Sequence, residues 1–173
     1  MKKLLFSLLA IFMFSGFSFA QKFAYVDTEY ILNNIPTYES AQDQLDQLSV
    51  DWQKEVEAVF TEVDKMYKDF QSEKVLLTDE MKKKREDDII KKEKEAKELQ
   101  KKYFGKDGEL YKKRQELVKP IQDDIFNAVK EIATEGNYAI IFDTAGGGAS
   151  ILFTDPKYDK SDDVLEKLGY SKK

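Results

Sequence analysis

The side chains most able to do chemistry in this chain are carboxylates, lysines and one run of glycines. Asp87-Asp88 and Asp123-Asp124 are adjacent acidic pairs, the residue types of an acid/base couple or a cation site. Neighbours along a helix do not face each other, so neither pair converges on one proton or one ion. Without apolar surroundings to shift their pKa values, they read as solvated groups. Gly146-Gly147-Gly148 is the only stretch with the look of a ligand loop. A phosphate cradle opens a helix and carries Lys and Ser or Thr next, whereas Ala149-Ser150 follow here between apolar runs. It reads as a flexible connection between strands. The chain has no His and no Cys, which removes the commonest metal ligand and the commonest general base near neutral pH. We therefore assign no catalytic residue, no metal site and no cofactor, and expect no enzyme.

The lysine-rich stretch from Met81 to Lys102 could suggest nucleic acid, but its lysines are interspersed with Glu and Asp. A solvated, ion-paired helix face is the expected arrangement, with contact to anionic lipid or to a bound protein as its further use and no nucleic acid partner.

Apolar spacing shows which elements carry these charges. Tyr38, Ala41, Leu45, Leu48, Trp52, Val56, Val59, Val63, Met66 and Phe70 recur at steps of three and four. That is a heptad seam with one additional four-residue step around Trp52. No Gly or Pro occurs from Thr37 through Phe104, so a turn must come from elsewhere. Leu76 to Glu80 supplies it: Thr78 can accept from free N–H groups, and Asp79 and Glu80 suit a helix start. The return helix carries Met81, Ile89, Ala96, Leu99, Tyr103, Leu110, Leu117, Ile121, Ile125, Ala128 and Ile132. Gly105, Gly108 and Pro120 lie within it as candidate hinges; the helix is expected to continue through all three and to bend there.

Charge favours folding back over one extended rod. Residues 22–73 carry net −8, residues 74–114 net +5 and residues 115–173 net −4. A fold-back at Thr78 lays the basic arm along the acidic one, although each exposed pair contributes less than about 1 kcal/mol. It places Trp52 near Tyr103 and Leu45 near Leu110, in an arm roughly 60 Å long by helical rise. Phe60, Tyr67, Val75, Leu76, Ile90 and Phe104 exceed what a two-helix seam needs. They either widen the packing stripe or face a bound, non-native chain, and periodicity does not separate the two.

The ends of the chain complete the reading. Lys2 and Lys3, the apolar run Leu4 to Phe14 and Ser18-Phe19-Ala20 form a secretory signal over residues 1–20. A retained anchor is the alternative, and cleavage before Gln21 is favoured because Ser15, Gly16 and Ser18 break the run. Lys22 to Thr28 reads as a strand, and Thr28 caps a short helical turn, Glu29 to Asn33, that Pro36 ends. After Gly136 as a helix cap, Tyr138 to Phe142 reads as a buried strand and Ile151-Leu152-Phe153 as another. Ser161 caps a closing helix over Asp162 to Leu168, which stops at Gly169. The layout is a body from residues 21–36 and 136–173, with a helical hairpin arm, residues 37–135, inserted between its strands.

The chain resembles the Skp/OmpH family of periplasmic chaperones along almost its whole mature length. The likeness lies in Phe23-Ala24-Tyr25-Val26-Asp27, Ile31-Leu32-Asn33-Asn34-Ile35-Pro36, the charged hairpin and Pro120-Ile121. It continues through Glu135-Gly136-Asn137-Tyr138, Ile140-Ile141-Phe142-Asp143 and Asp163-Val164-Leu165-Glu166-Lys167-Leu168-Gly169. The resemblance implies a mainly α protein with a small β body: a homotrimer whose strands form a β-barrel base and whose coiled-coil tentacles surround a cavity. It implies an ATP-independent holdase for unfolded outer-membrane proteins in the periplasm. The best-known members are strongly basic, whereas this mature chain is acidic and only residues 74–114 keep a positive balance. Phe23, Tyr25, Ile140, Phe142, Ile151 and Phe153 are the residues expected to build the assembled body, because few apolar groups per subunit serve such a small base. A coiled-coil spacer or docking protein of the cell envelope, without chaperone activity, is the rival reading.

Overall fold

The computed structural model describes residues 21–146 and 151–170, so the expected signal segment lies outside the described residues. The described residues form two compact units, one from residues 35–125 and one from residues 21–34 with those described after residue 125.

The first unit is the arm. Helix α2, Pro36–Glu73, is preceded by α1, Thr28–Asn33, and opens on its proline. Pro36 thus starts a helix as well as ending one, since a first-turn residue needs no N–H and its fixed φ suits the helix. A 3₁₀ turn at Lys74–Leu76 leads to α3, Asp79–Phe104. Thr78 caps α3 as its sequence position indicates, with Oγ1 accepting from the Met81 N–H at 3.3 Å. The buried seam comprises Ala41, Leu45, Val56 and Phe70 from α2 with Ala96 and Tyr103 from α3. Ala41 and Leu45 also form a cluster with Val118, against which Tyr38, Leu110 and Leu117 pack. Trp52 stacks on Tyr103, ring centroids 4.8 Å apart and planes 3° from parallel. Both pairings anticipated from a turn at Thr78 are therefore present. Among the described residues, Arg85–Glu73 at 3.1 Å and Lys92–Glu62 at 2.8 Å are ion pairs that cross between the arm helices. Other arm lysines, such as Lys97 and Lys94, pair one turn away along their own helix. Met81, placed on the seam by spacing, is half exposed at the turn.

The return helix does not continue through the two glycines. Helix α3 stops at Phe104 and α4, Glu109–Gly136, begins after a four-residue break. Gly105 takes an extended backbone (φ −64°, ψ 168°), its N–H donating to Lys101 O and its carbonyl accepting from Gly108 N, both at 2.9 Å. A Cβ on Gly105 would fall 2.4 Å from Lys101 O, and one on Gly108 2.7 Å from Tyr103 O. Glycine is required at both places by backbone proximity, which a propensity of about 1 kcal/mol does not convey. Pro120, by contrast, sits inside α4 without interrupting it.

The second unit is built on a two-stranded sheet of β1, Lys22–Val26, and β2, Tyr138–Asp143. The strands run parallel, with Phe23 opposite Ile140, Ala24 opposite Ile141 and Tyr25 opposite Phe142. Parallel neighbours need a long crossover, and here the whole arm is that crossover. Ala24 and Val26 point to the core, where Ile31, Ala128, Ile132, Val164 and Leu165 are also buried.

The caps differ from the sequence expectation in informative ways. Asp27, not Thr28, caps α1, its Oδ1 accepting from the Tyr30 N–H at 2.9 Å. The Thr28 hydroxyl is occupied elsewhere, donating to Asp143 Oδ2 at 2.7 Å. Ser161 is the first residue of α5, Ser161–Lys167, not its cap. Its Oγ accepts from the Asp27 N–H at 2.9 Å and donates to Asp159 Oδ1 at 2.6 Å, and it is buried. Replacing Ser161 with Ala leaves a buried N–H without its partner and is expected to lower stability by about 1–3 kcal/mol, read by chemical denaturation. Gly169 does end α5, with φ +83°, while Tyr170 N donates to Leu165 O. That is the Schellman arrangement. At the end of α4, the left-handed residue is Asn137 (φ 52°), not Gly136. Gly136 is needed for a different reason: its missing Cβ makes room for the Tyr138 ring, which would otherwise lie 2.2 Å away.

Ile151-Leu152-Phe153, expected as a strand, is not one. Asp159 bridges to Tyr25 and the Lys160 N–H donates to Tyr25 O at 2.9 Å, so that neighbouring segment takes the place beside β1. Residues 151–155 form no ladder, and the apolar run remains uncovered.

Candidate functional site

The alternation of β1 and the register with β2 decide which side chains share a face. Since Ala24 and Val26 are turned inward, Phe23 and Tyr25 stand on the opposite face, together with their partners Ile140 and Phe142. Phe23, Ile140 and Phe142 are well exposed there, and Tyr25 is half-buried. Ile151 and Phe153 join Phe23, Tyr25 and Phe142 in lining an open groove of about 1010 Å³. Ile140, although on the same sheet face, is not among its lining residues. Tyr138 and Tyr158 also line this groove, and sequence reasoning did not single them out. Leu152 is 98% exposed and Phe153 83%, values at which an apolar side chain gains almost nothing from its own chain. Soluble monomers rarely leave such groups together, and an apolar patch of this kind marks a surface for another molecule.

Charges edge the groove. Lys157 Nζ lies 2.8 Å from Asp155 Oδ2; this hydrogen bond holds the lysine pKa above its ordinary value and the Asp155 pKa below its own. Lys167, on α5, reaches both Glu135 at 2.7 Å and Glu131 at 3.1 Å, and its pKa is raised by the hydrogen bond to Glu135 first and to Glu131 second. These pairs tie α5 to the end of α4 within the same unit. Among the described residues there is no cluster of acidic groups able to hold a metal ion.

The arm residues singled out from sequence divide into two sets. Val75 and Leu76 are 89% and 83% exposed in the turn, and Tyr67 and Ile90 are exposed on α2 and α3. Phe60 and Phe104 are half-buried, and the Phe104 ring meets Tyr103 edge-on at 6.4 Å. Phe104 therefore belongs in part to intramolecular packing. Val50 and Tyr111 are exposed arm residues that the seam analysis did not mark. Tyr67 and Val75 are separated by about 12 Å of helical rise, so the exposed apolar groups stand apart along α2 and α3 and adjoin only at the turn, in Val75 and Leu76. The pattern offers many weak contacts in place of one deep pocket. No helix among the described residues is long and apolar enough to cross a membrane.

The fold and the sequence can now be compared with known proteins. The family model described as outer membrane protein (OmpH-like) matches residues 22–168. Among the solved structures, a candidate outer membrane chaperone (OmpH-like) from Caulobacter crescentus CB15 superimposes with a TM-score of 0.65. The match covers 88% of this chain and 86% of that one at 10% sequence identity, so the likeness is one of fold. No curated protein matches. With a family model matching nearly all of its described length, and with a long helical hairpin and a small two-stranded sheet, the chain belongs to the OmpH-like family.

Proposed function

We propose that this protein is an ATP-independent holdase chaperone of the periplasm, which binds unfolded outer-membrane proteins and keeps them from aggregating. The reading rests on family membership and on one observation above all. The arm exposes large apolar side chains at intervals along charged helices, and an adjacent pair, Val75 and Leu76, at its turn. Contacts of this kind are individually weak and together sufficient to hold a chain that must later be released. Their chemistry suits an extended apolar chain better than a single small ligand.

The holding form is a homotrimer. In the body, the face formed by Phe23, Tyr25, Ile140 and Phe142, together with Ile151 and Phe153, has too little of its own chain to cover it. Joining three copies buries these groups, gives the 151–153 run a place in a shared sheet and closes strand edges that would otherwise invite aggregation. Three arms then enclose the client among them. Residues 1–20 direct export and are removed. The surplus lysines of residues 74–114 can add contact with anionic lipid.

The test is direct. An outer-membrane β-barrel protein, diluted from urea without lipid or nucleotide, is expected to stay clear of light scattering at one trimer per client. Without the protein it turns turbid. Scattering that does not fall at stoichiometric amounts overturns the holdase reading, and the spacer or docking protein of the envelope then takes its place.

A further inference from the structure

Beside the four-residue break, three side chains from the two arm helices meet in a way that packing of a seam does not require. Tyr103, next to last in α3, is buried; it lies flat on Trp52 and donates its hydroxyl to Glu55 Oε2 at 2.8 Å. Lys102 Nζ is 5.0 Å from the centroid of the same ring. Trp52 and Glu55 belong to α2, which passes this level as one continuous helix, whereas the return strand is interrupted between Phe104 and Glu109. At this level, then, the hairpin has an intact helix on one side and a gap on the other.

A helix pair with one interrupted member bends most easily at the interruption, because there only one ladder of i→i−4 hydrogen bonds resists. The glycines hold the gap open, since a Cβ at either would strike backbone atoms of the preceding turn. Something must then fix the angle between α3 and α4, and the aromatic stack with its hydroxyl-to-carboxylate bond sits at that place. Stacking is directional and the hydrogen bond to a charged acceptor is strong, so the arrangement has one preferred geometry and can be released as a unit.

We propose that Trp52, Tyr103 and Glu55 form a latch that pins the end of α3 to α2 beside the Gly105–Gly108 break. Helix α4 packs on α2 through Leu110, Leu117 and Val118, so that opening the latch frees α3 to bend relative to α4. The inference does not depend on the holdase reading, because it concerns one arm and no client.

The chain has no native Cys, so paired spin labels can be placed without background. Lys91 and Gln115 are exposed on either side of the break, and Lys91→Cys with Gln115→Cys, mixed before assembly with a large excess of unlabelled chain, reports the distance distribution within one arm of the full mature protein. In the native sequence a single narrow distance is expected. Tyr103→Phe, which keeps the ring and loses the hydroxyl, is expected to broaden it, and Trp52→Leu to add a second population. Phe70→Ala serves as control, since it empties a buried site of the same arm far from the break. Unchanged distributions in both latch variants overturn the proposal. So does a Phe70→Ala distribution as broad as theirs, for the effect would then be general loosening.

Discussion

Phe142→Asp is expected to reduce the assembled protein to monomers and to abolish suppression of client aggregation. Phe142 stands on the uncovered sheet face opposite Tyr25 and lines the groove shared with Ile151 and Phe153. Burying a Phe contributes about 1.5–3 kcal/mol, and a trimer repeats that contribution in every subunit. Substitution removes it and forces an unpaired carboxylate into the interface, at a further cost of several kcal/mol. Because the side chain is exposed in the single chain, the substitution should leave the helical hairpin intact. Native mass spectrometry and circular dichroism on the same sample separate the outcomes. A trimer that survives Phe142→Asp would show that this face is not where subunits meet.

The second large effect concerns the break in the return helix. Gly105→Ala combined with Gly108→Ala is expected to destabilise the arm by more than about 2 kcal/mol, the range typical of backbone clashes with no room to relax. From sequence alone the same pair of changes would be expected to stiffen a helix, since Ala is the better helix former. The structure reverses that expectation, because each new Cβ meets a main-chain oxygen under 3 Å away. The arm can escape the clash only by making the helix continuous. Converting residues 105–108 to helix would reset both the rise and the rotation between α3 and α4. Leu110 and Val118 then lose alignment with Leu45, or Tyr103 loses Trp52. Either way the thermal midpoint falls. A midpoint equal to or above that of the native protein would show that the break is not a required feature.

The large features of the fold were legible because each had a local cause repeated many times. The seam from Tyr38 to Phe70 declares a helix several times over, and the change of charge sign at Thr78 adds a reason to fold back. Together they suffice to pair Trp52 with Tyr103 and to bring Leu110 to the cluster that holds Leu45. The errors arose where one residue had two possible partners. Thr28 is a good cap by type, but Asp143, far along the chain, engages its hydroxyl, and Asp27 caps instead. Ser161 was read as a cap for the same reason, while its hydroxyl serves Asp27 and Asp159.

The candidate sites were less legible. Helical periodicity marks which residues exceed a seam, but exposure depends on what the opposing helix offers at each level. Phe104 and Ile90 look alike in sequence; one is half-buried at the end of α3 and the other is exposed. Ile151-Leu152-Phe153 has the composition of a strand, and composition does not say whose edge it will join.

The pairing of β1 with β2 also imposes an order of events on folding. Phe23 precedes the hairpin in sequence, and its ladder partner Ile140 follows only after the whole of it. Contacts within residues 35–125 close over much shorter loops and carry their own apolar seam, so the coiled limb can collapse early. The amino-terminal strand finds its ladder partners only once β2 docks, so the sheet carrying Phe23 and Tyr25 closes after the limb and depends on both ends of the chain.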